Sequence, residues 1–412
     1  MNASRGTGGI PAVNGGEEVK RSLYDLDAGQ LQALVAEAGE PPYRARQLAH
    51  WLDGRRQPDP RRMSDLPGPL RARLADRFAT ARLTLERHQG GDGGWTHKFL
   101  FRLPGGDAVE SVLMLYQRGG LRPPRSPQDP MVGDDWEGGP RGRATVCIST
   151  QAGCAMGCTF CATGQFGFTR QLSAGEVVEQ VARVSTMLPE LRPGPQAPDH
   201  LTNVVFMGMG EPFANPAATW GAAWRLHRGF GLSARAITIS TVGLVPGIRR
   251  AAAEPLPVKL AVSIHAADDE VRDRLVPVNR SWPIAELLAG VGDYVAATRR
   301  RVSFEYALIA GVNDDPDQAG RLGRLLAPLR VPGSGGHAAH VNLIPYNPTP
   351  GIAFAPPSRN AVRRFRDAVA ATGVPVSVRA NRGVRIDAAC GQLRTTAGRP
   401  GRRPPGVAGV AR

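Results

Sequence analysis

From Leu23 to about Leu85, apolar residues recur three and four positions apart in "LQALVAEAG", "RARQLAHWL" and "LRARLADRF", with Pro-rich breaks between them. That spacing predicts a small helical domain over residues 21–95. Next, "HKFLFRL" and "AVESVLMLY" alternate apolar and polar positions, which predicts a pair of strands over 96–116 with Glu110 inside the second. A Pro/Gly-rich segment, 117–142, reads as a linker or surface insertion. Beyond it the pattern changes again. Short β-rich runs, "RATVCIS", "LTNVVFM", "RAITIST", "VKLAVSI", "VSFEYALI" and "HVNLIP", alternate with helical patterns. One helix opens at a capping box of Ser173 and Glu176 and carries Val177, Val181, Val184 and Leu188 on one face. Another starts at Asn215 and Pro216, and others are expected near Ile284 to Thr298, Gln318 to Leu329 and Ser358 to Ala371. Six strand–helix units over 143–385 imply a parallel sheet with helices outside, and fit an incomplete (βα) barrel better than the closed eight-unit form of roughly 250 residues.

Composition permits this. Hydrophobic residues make up 42% and charged residues 21%, so a core can form without disulfide staples, and 412 residues suit two domains or one barrel with additions. The polar, Gly-rich first 20 residues and the Arg, Pro and Gly tail within 386–412 read as disordered. With only five cysteines, no signal-like apolar start and no run near ~18 apolar residues, a cytoplasmic protein with no membrane segment is expected. The net charge of +15, carried almost wholly by Arg, favours a polyanionic partner. Arg55, Arg56, Arg61, Arg62, Arg71, Arg73, Arg77, Arg82 and Arg87 crowd the helical domain as a phosphate-contact or merely solvated face.

Four of the five cysteines lie in "CISTQAGCAMGCTFCATGQFG". Cys154, Cys158 and Cys161 follow the first barrel strand as C-x3-C-x2-C, and three thiolates from one loop can hold three irons of a 4Fe-4S cluster, leaving the fourth iron free to chelate a small molecule. A structural zinc would want a fourth ligand, for which Cys147 is the candidate. On the residues alone, Cys147 is a buried strand thiol, Cys390 a loop thiol and Glu110 a paired or exposed strand carboxylate.

The strand–loop setting, the cysteine spacing and Phe160 make residues 143–385 resemble the radical S-adenosylmethionine (SAM) superfamily. More narrowly, "CISTQAGCAMGCTFCATG", "MGMGEP", "ITIST", "AVSIHA", "NLIPYNP" and "DAACGQL", in this order, are similar to the RlmN family over about Leu23 to Leu393. The resemblance implies a partial (βα)6 radical SAM barrel and methylation of adenine C2 in 23S rRNA and tRNA, with two SAM molecules per turnover. SAM would be held by Gly210, Glu211, Ser240, Ser263, Ile264, His265 and Asn347, and the cluster by Cys154, Cys158 and Cys161. Cys390 would accept a methyl group that becomes a carbon radical and adds to C2. Glu110 would remove the C2 proton, and Cys147 would release the product by forming a disulfide with Cys390. A flavodoxin-like electron donor, a monomeric state and RNA gripped by the helical domain and the Arg-rich tail complete the expectation. The segment "RANRGVRIDAACGQL" departs from the family in lacking some acidic residues. Two rivals share features: the Cfr enzymes, which have the same cysteines but methylate C8, and a non-catalytic zinc-stabilised RNA-binding protein.

Overall fold

The computed structural model describes residues 20–117, 142–379 and 381–393. The segments expected to be disordered, and nearly all of the 117–142 linker, lie outside the described residues.

The chain begins with β1 (Arg21–Ser22), then α1 (Ala28–Glu37), α2 (Tyr43–Ala49), α3 (Gly68–Arg77) and β2 (Phe78–Ala79). Asp27 and Gln30 cap α1 reciprocally, and Leu31, Leu34, Leu48, Leu52, Leu70 and Leu74 are the buried stripe that the spacing predicts. Helix stops here rather than at residue 95, because β3 (Thr84–Gly91) pairs antiparallel with β4 (Thr96–Arg102). "TLERHQGG" is almost wholly solvent-facing, so it carries no apolar period of its own, and pairing with β4 decides its state. The helical unit is fastened to the barrel by polar contacts: Asp25 accepts from Gly175 N–H at 2.6 Å, Asp53 pairs with Arg225 at 2.9 Å, and Arg82 pairs with Glu176 at 2.8 Å.

After β5 (Ala108–Tyr116) and β6 (Arg143–Cys147) come a small hairpin, β7 (Gln151–Gly153) and β8 (Phe168–Gln171), with α4 (Ala162–Phe166) between its strands. Alternation then runs α5 (Ala174–Leu191), β9 (Asn203–Phe206), α6 (Pro216–Arg228), β10 (Ile237–Thr241), α7 (Val245–Ala253), β11 (Lys259–Ser263), α8 (Asp269–Leu275), α9 (Ile284–Thr298), β12 (Val302–Leu308), α10 (Pro316–Leu326), β13 (Ala339–Pro345), α11 (Arg359–Ala370) and β14 (Val376–Val378). The expected capping box and period of α5 hold, with Ser173 and Glu176 capping it reciprocally and Val177, Val181, Val184 and Leu188 buried, and Ser358 caps α11; α6 starts at Pro216 as expected, but Asn215 makes no side-chain cap, because its amide donates instead to Thr150 O and Leu172 O. The short β14 was not legible as a strand.

All ten large-sheet strands lie in the order β14-β13-β12-β11-β10-β9-β6-β5-β4-β3. From β6 through β14 neighbours are parallel, while β3 to β6 are antiparallel, so an incomplete barrel is extended at one edge by a hairpin layer. The C-terminal segment returns across that layer. Arg382 donates to Leu115 O at 2.8 Å, Gly383 N–H to Asp92 Oδ2 at 2.9 Å, and Lys98 Nζ to Asp387 O at 3.2 Å. Ala162 N–H and Thr163 Oγ1 hold Gly391 O and Leu393 O, which brings Cys390 over the carboxyl ends of the strands.

Candidate active site

Two adjoining chambers open at those strand ends. One, of about 170 Å³, is lined by Cys154, Cys158 and Cys161 on one side and by Gly210, Glu211, Ser240, Ser263, His265 and Asn347 on the other. The second, of about 150 Å³, is lined by Cys147, Val112, Tyr116, Arg379 and Cys390. Cys161, Asn347 and Cys390 face both.

The three-cysteine loop is shaped by glycine. Gly153 has φ +76°, and a Cβ there would lie 1.9 Å from Gly167 O, so only glycine lets Cys154 N–H reach Gly167 O at 2.9 Å. Burial pushes the Cys154 thiol up to about 12, with Cys161 and Glu211 adding to it, and raises Cys158 and Cys161 too. Such thiols ionise only if positive charge arrives with the ligand they bind. Among the described residues no group of three or more His, Cys, Asp or Glu side chains could hold a single metal ion. Cys147, the fourth thiol that a zinc site needs, faces the other chamber. Three thiols sharing one chamber fit a cluster better, since each thiolate then meets its own iron.

Opposite the thiols, Glu211 is buried, and burial lifts its carboxyl from 4.5 to about 7. Its oxygens accept from Phe213 N–H at 2.9 Å and Val242 N–H at 2.8 Å, which aim the carboxylate while leaving lone pairs for a cation. Gly210 has φ +100°, and a Cβ there would lie 2.6 Å from Gln151 Cβ. His265 Nδ1 accepts from Ala307 N–H at 2.9 Å, so its proton sits on Nε2; burial and Arg272 lower its pKa to about 3, which keeps the ring neutral. Asn347 is 2% exposed, donates to Cys390 O at 3.2 Å, and has no partner for Oδ1. A buried acceptor left open on a cavity wall is available to a water or a ligand there. Ile264 behaves differently from its neighbours in the run. Its side chain is fully buried in the core, away from both chambers, and its backbone is spent on Glu305 O and Arg272 Nε.

Cys147 and Cys390 are both free thiols and line one chamber. Burial pushes Cys147 up to about 12, reinforced by the neighbouring Cys390. Glu110 does not line either chamber. It lies on the same face of β5 as Val112, one two-residue step (about 7 Å) further along the strand.

Sequence reasoning missed two groups. Lys98, itself buried, lies 3.1 Å from Glu110 and also donates to Asp387 O in the Cys390 segment, so it couples the two. Arg272, fully buried on α8, donates to Val242 O, Ser263 O and Ile264 O, tying together the ends of β10 and β11. An Arg on a helix face otherwise made of Val271 and Leu275 was the available signal.

Comparison with known proteins places these features in a lineage. The family model described as the radical SAM superfamily matches residues 148–322, and that described as the ribosomal RNA large subunit methyltransferase N-terminal domain matches residues 21–79. The chain is 44% identical to a protein of Roseiflexus castenholzii named "Probable dual-specificity RNA methyltransferase RlmN", over 93% of this chain and 98% of that one. A protein of the same name from Chloroflexus aurantiacus is 49% identical over 91% of this chain and 93% of its own length. The crystal structure of a radical SAM methyltransferase from Sphaerobacter thermophilus superposes with a TM-score of 0.78 at 46% identity, covering 91% of this chain and 99% of that one. With three thiols in one chamber, two more in the next and this similarity along nearly its whole length, the chain belongs to the RlmN family of radical SAM methyltransferases, which use a 4Fe-4S cluster and SAM.

Proposed function

We propose that this chain methylates C2 of adenosine in 23S rRNA and tRNA, with Cys390 as the methyl carrier and Cys147 as the resolving thiol. The observation that carries the reading is that Cys147 and Cys390 share one chamber, and that this chamber meets the three-cysteine chamber at Asn347. Cys154, Cys158 and Cys161 would hold the cluster, and Glu211, Ser240, Ser263, His265 and Asn347 would hold SAM, with Gly210 giving close backbone approach. Together the cluster and SAM would supply carbon-radical chemistry, which an electron-poor carbon between two ring nitrogens requires.

The chain's own residues do the rest. Cys390 Sγ carries the one-carbon unit and becomes joined to C2 through it, and the unpaired electron left by that addition returns to the one-electron donor as the C2 proton leaves. Glu110, held by Lys98 at 3.1 Å, takes the C2 proton. Cys147 Sγ then forms a bond to Cys390 Sγ while the carbon–sulfur bond breaks. The carbon keeps the electron pair and takes the proton given up by Cys147, leaving a methyl group on the base and a disulfide to be reduced. The Cys147 thiol, raised by burial, stays protonated at neutral pH and so carries that proton into the step. No helix among the described residues is long and apolar enough to cross a membrane. A cytoplasmic monomer reduced by a flavodoxin-like donor completes the proposal.

Anaerobic incubation with methyl-labelled SAM and ribosomal RNA or tRNA, followed by nucleoside mass spectrometry, tests it. The expected product is 2-methyladenosine; labelled 8-methyladenosine would assign the chain to the C8 chemistry instead.

A further inference from the structure

The barrel has a second opening, at the amino ends of its parallel strands and opposite the cysteine loop. A cavity of about 700 Å³ is lined there by Arg143 and Thr145 of β6, Asn203 and Val205 of β9, Thr238 of β10, Lys259 of β11, Ser303 and Glu305 of β12, and their neighbours on β13 and β14. These are alternate residues on each strand, so they mark the inner face of the sheet. The register joins Ser263, Glu305, Asn342 and Ser377 into one inward row. Closed barrels fill this space with layers of Val, Ile and Leu. Here the row is polar and internally bonded, Asn342 donating to Glu305 at 2.9 Å and Ser377 to Asn342 at 2.7 Å, which suits a wet passage and not a packed core.

Charge at this opening is one-sided. Among the described residues, Arg143, Arg235, Lys259, Arg300, Arg301 and Arg379 line it, against the single carboxylate of Glu305, which is already engaged by Arg379 at 3.4 Å. Arg235, Lys259 and Arg301 are exposed at the rim. At its inner end the passage shares Met114, Tyr116, Arg143, Val205, Met207 and Arg379 with the Cys147–Cys390 chamber. At that neck the Arg143 and Arg382 guanidinium groups lie over the Tyr116 ring, 4.1 and 4.3 Å from its centroid.

From this we infer that the amino-end opening is the RNA port. The strand backbone docks on the rim Arg and Lys, and the target base passes up the polar lumen, by the Arg–Tyr–Arg neck, to reach Cys390 from the side opposite the cluster. The inference rests on the RNA methyltransferase reading and adds the route. Phosphates explain the exposed cations, the polar row accommodates a base edge, and flat guanidinium planes offer stacking surfaces to an extruded adenine. SAM and base then approach Cys390 from opposite ends and do not compete for one entrance. An acidic electron-donor protein would also suit a basic rim, but it must approach the cysteine loop, at the other end of the barrel.

Two variants of the full-length, cluster-loaded protein test this. Arg235→Ala/Lys259→Ala/Arg301→Ala removes only exposed side chains, and its binding to a fluorescent RNA stem–loop with adenines in its loop is followed by anisotropy across a salt series. Three lost phosphate contacts should lower the log–log salt slope by about 2 and weaken binding roughly a hundredfold at 0.1 M salt, with SAM binding unchanged. Ser303→Trp plugs the lumen above the rim; it should keep RNA affinity and SAM binding but lose at least a hundredfold in RNA methylation. Unchanged affinity and slope in the triple variant, or normal methylation by Ser303→Trp, overturns the port. So does a triple variant that binds RNA normally and is reduced more slowly by an acidic flavoprotein, which would make the face a protein-docking site. Wild-type protein that binds the stem–loop with the expected salt slope, loses that slope in the triple variant and methylates nothing would support the port while sinking the functional reading.

Discussion

The two ends of the barrel lumen are built on the same strands yet handle charge in opposite ways. At the carboxyl ends, polar groups are buried before their ligands arrive: Cys154 is pushed up to about 12, Glu211 up to about 7, and His265 down to about 3, each chiefly by burial. At the amino ends, Arg235, Lys259 and Arg301 stay solvated and fully able to exchange partners. The switch occurs within one or two steps of the strand alternation, Thr238 to Ser240 on β10 or Ser303 to Ala307 on β12. One end is preorganised for a small ligand that brings its own positive charge, and the other for a long polyanion held loosely by many contacts.

Several changes would break or sharpen this contrast. Cys390→Ala should eliminate methylated RNA altogether, with no protein–RNA adduct, read by nucleoside mass spectrometry and denaturing gels; residual turnover would remove Cys390 as carrier. Cys147→Ala should leave Cys390 chemistry running but arrest release, so that a covalent RNA adduct accumulates and free product falls to a few per cent. A normal yield of free 2-methyladenosine would take Cys147 out of the mechanism. Glu110→Gln should slow methylation by about 10² to 10⁴-fold, the usual worth of a general base, while RNA affinity stays constant.

A smaller effect is expected from pH at the carboxyl end. Glu211 is raised from 4.5 to about 7, so folding is favoured while it is protonated, and that advantage is lost as pH rises through 7. A cationic ligand reverses the preference by pairing with the ionised form. SAM affinity should therefore climb by up to about tenfold per unit from pH 6 to 7.5, and Glu211→Gln should flatten the profile in isothermal titration. Smallest is Arg235→Ala at the amino end, which should reduce the salt slope of RNA binding by about 0.7 and leave SAM affinity untouched. A change in SAM affinity there would mean that the two ends are coupled and not independent.

Legibility in the sequence followed range. That Cys154, Cys158 and Cys161 sit together was readable because their spacing is local, and that Glu211, Ser240, Ser263 and His265 line a cavity because strand ends can be located from apolar runs. Ile264 shows the limit: it sits between two cavity-lining residues, yet the alternation of side chains sends it into the core. Thr84–Gly91 misled because a strand paired at a sheet edge needs no apolar period. Lys98 could not be read at all, since its meaning lies in a carbonyl 289 positions away.

Sequence alone determined the six strand–helix units, the capping box of α5 and the spacing of the three-cysteine loop, because these follow from interactions between residues a few positions apart. Tertiary structure alone decided which thiols share a chamber, that Cys390 is carried back across the hairpin layer to Cys147, and that the lumen is polar and basic at its amino end. Those outcomes depend on strand register and on hydrogen bonds between distant segments, which no local pattern encodes.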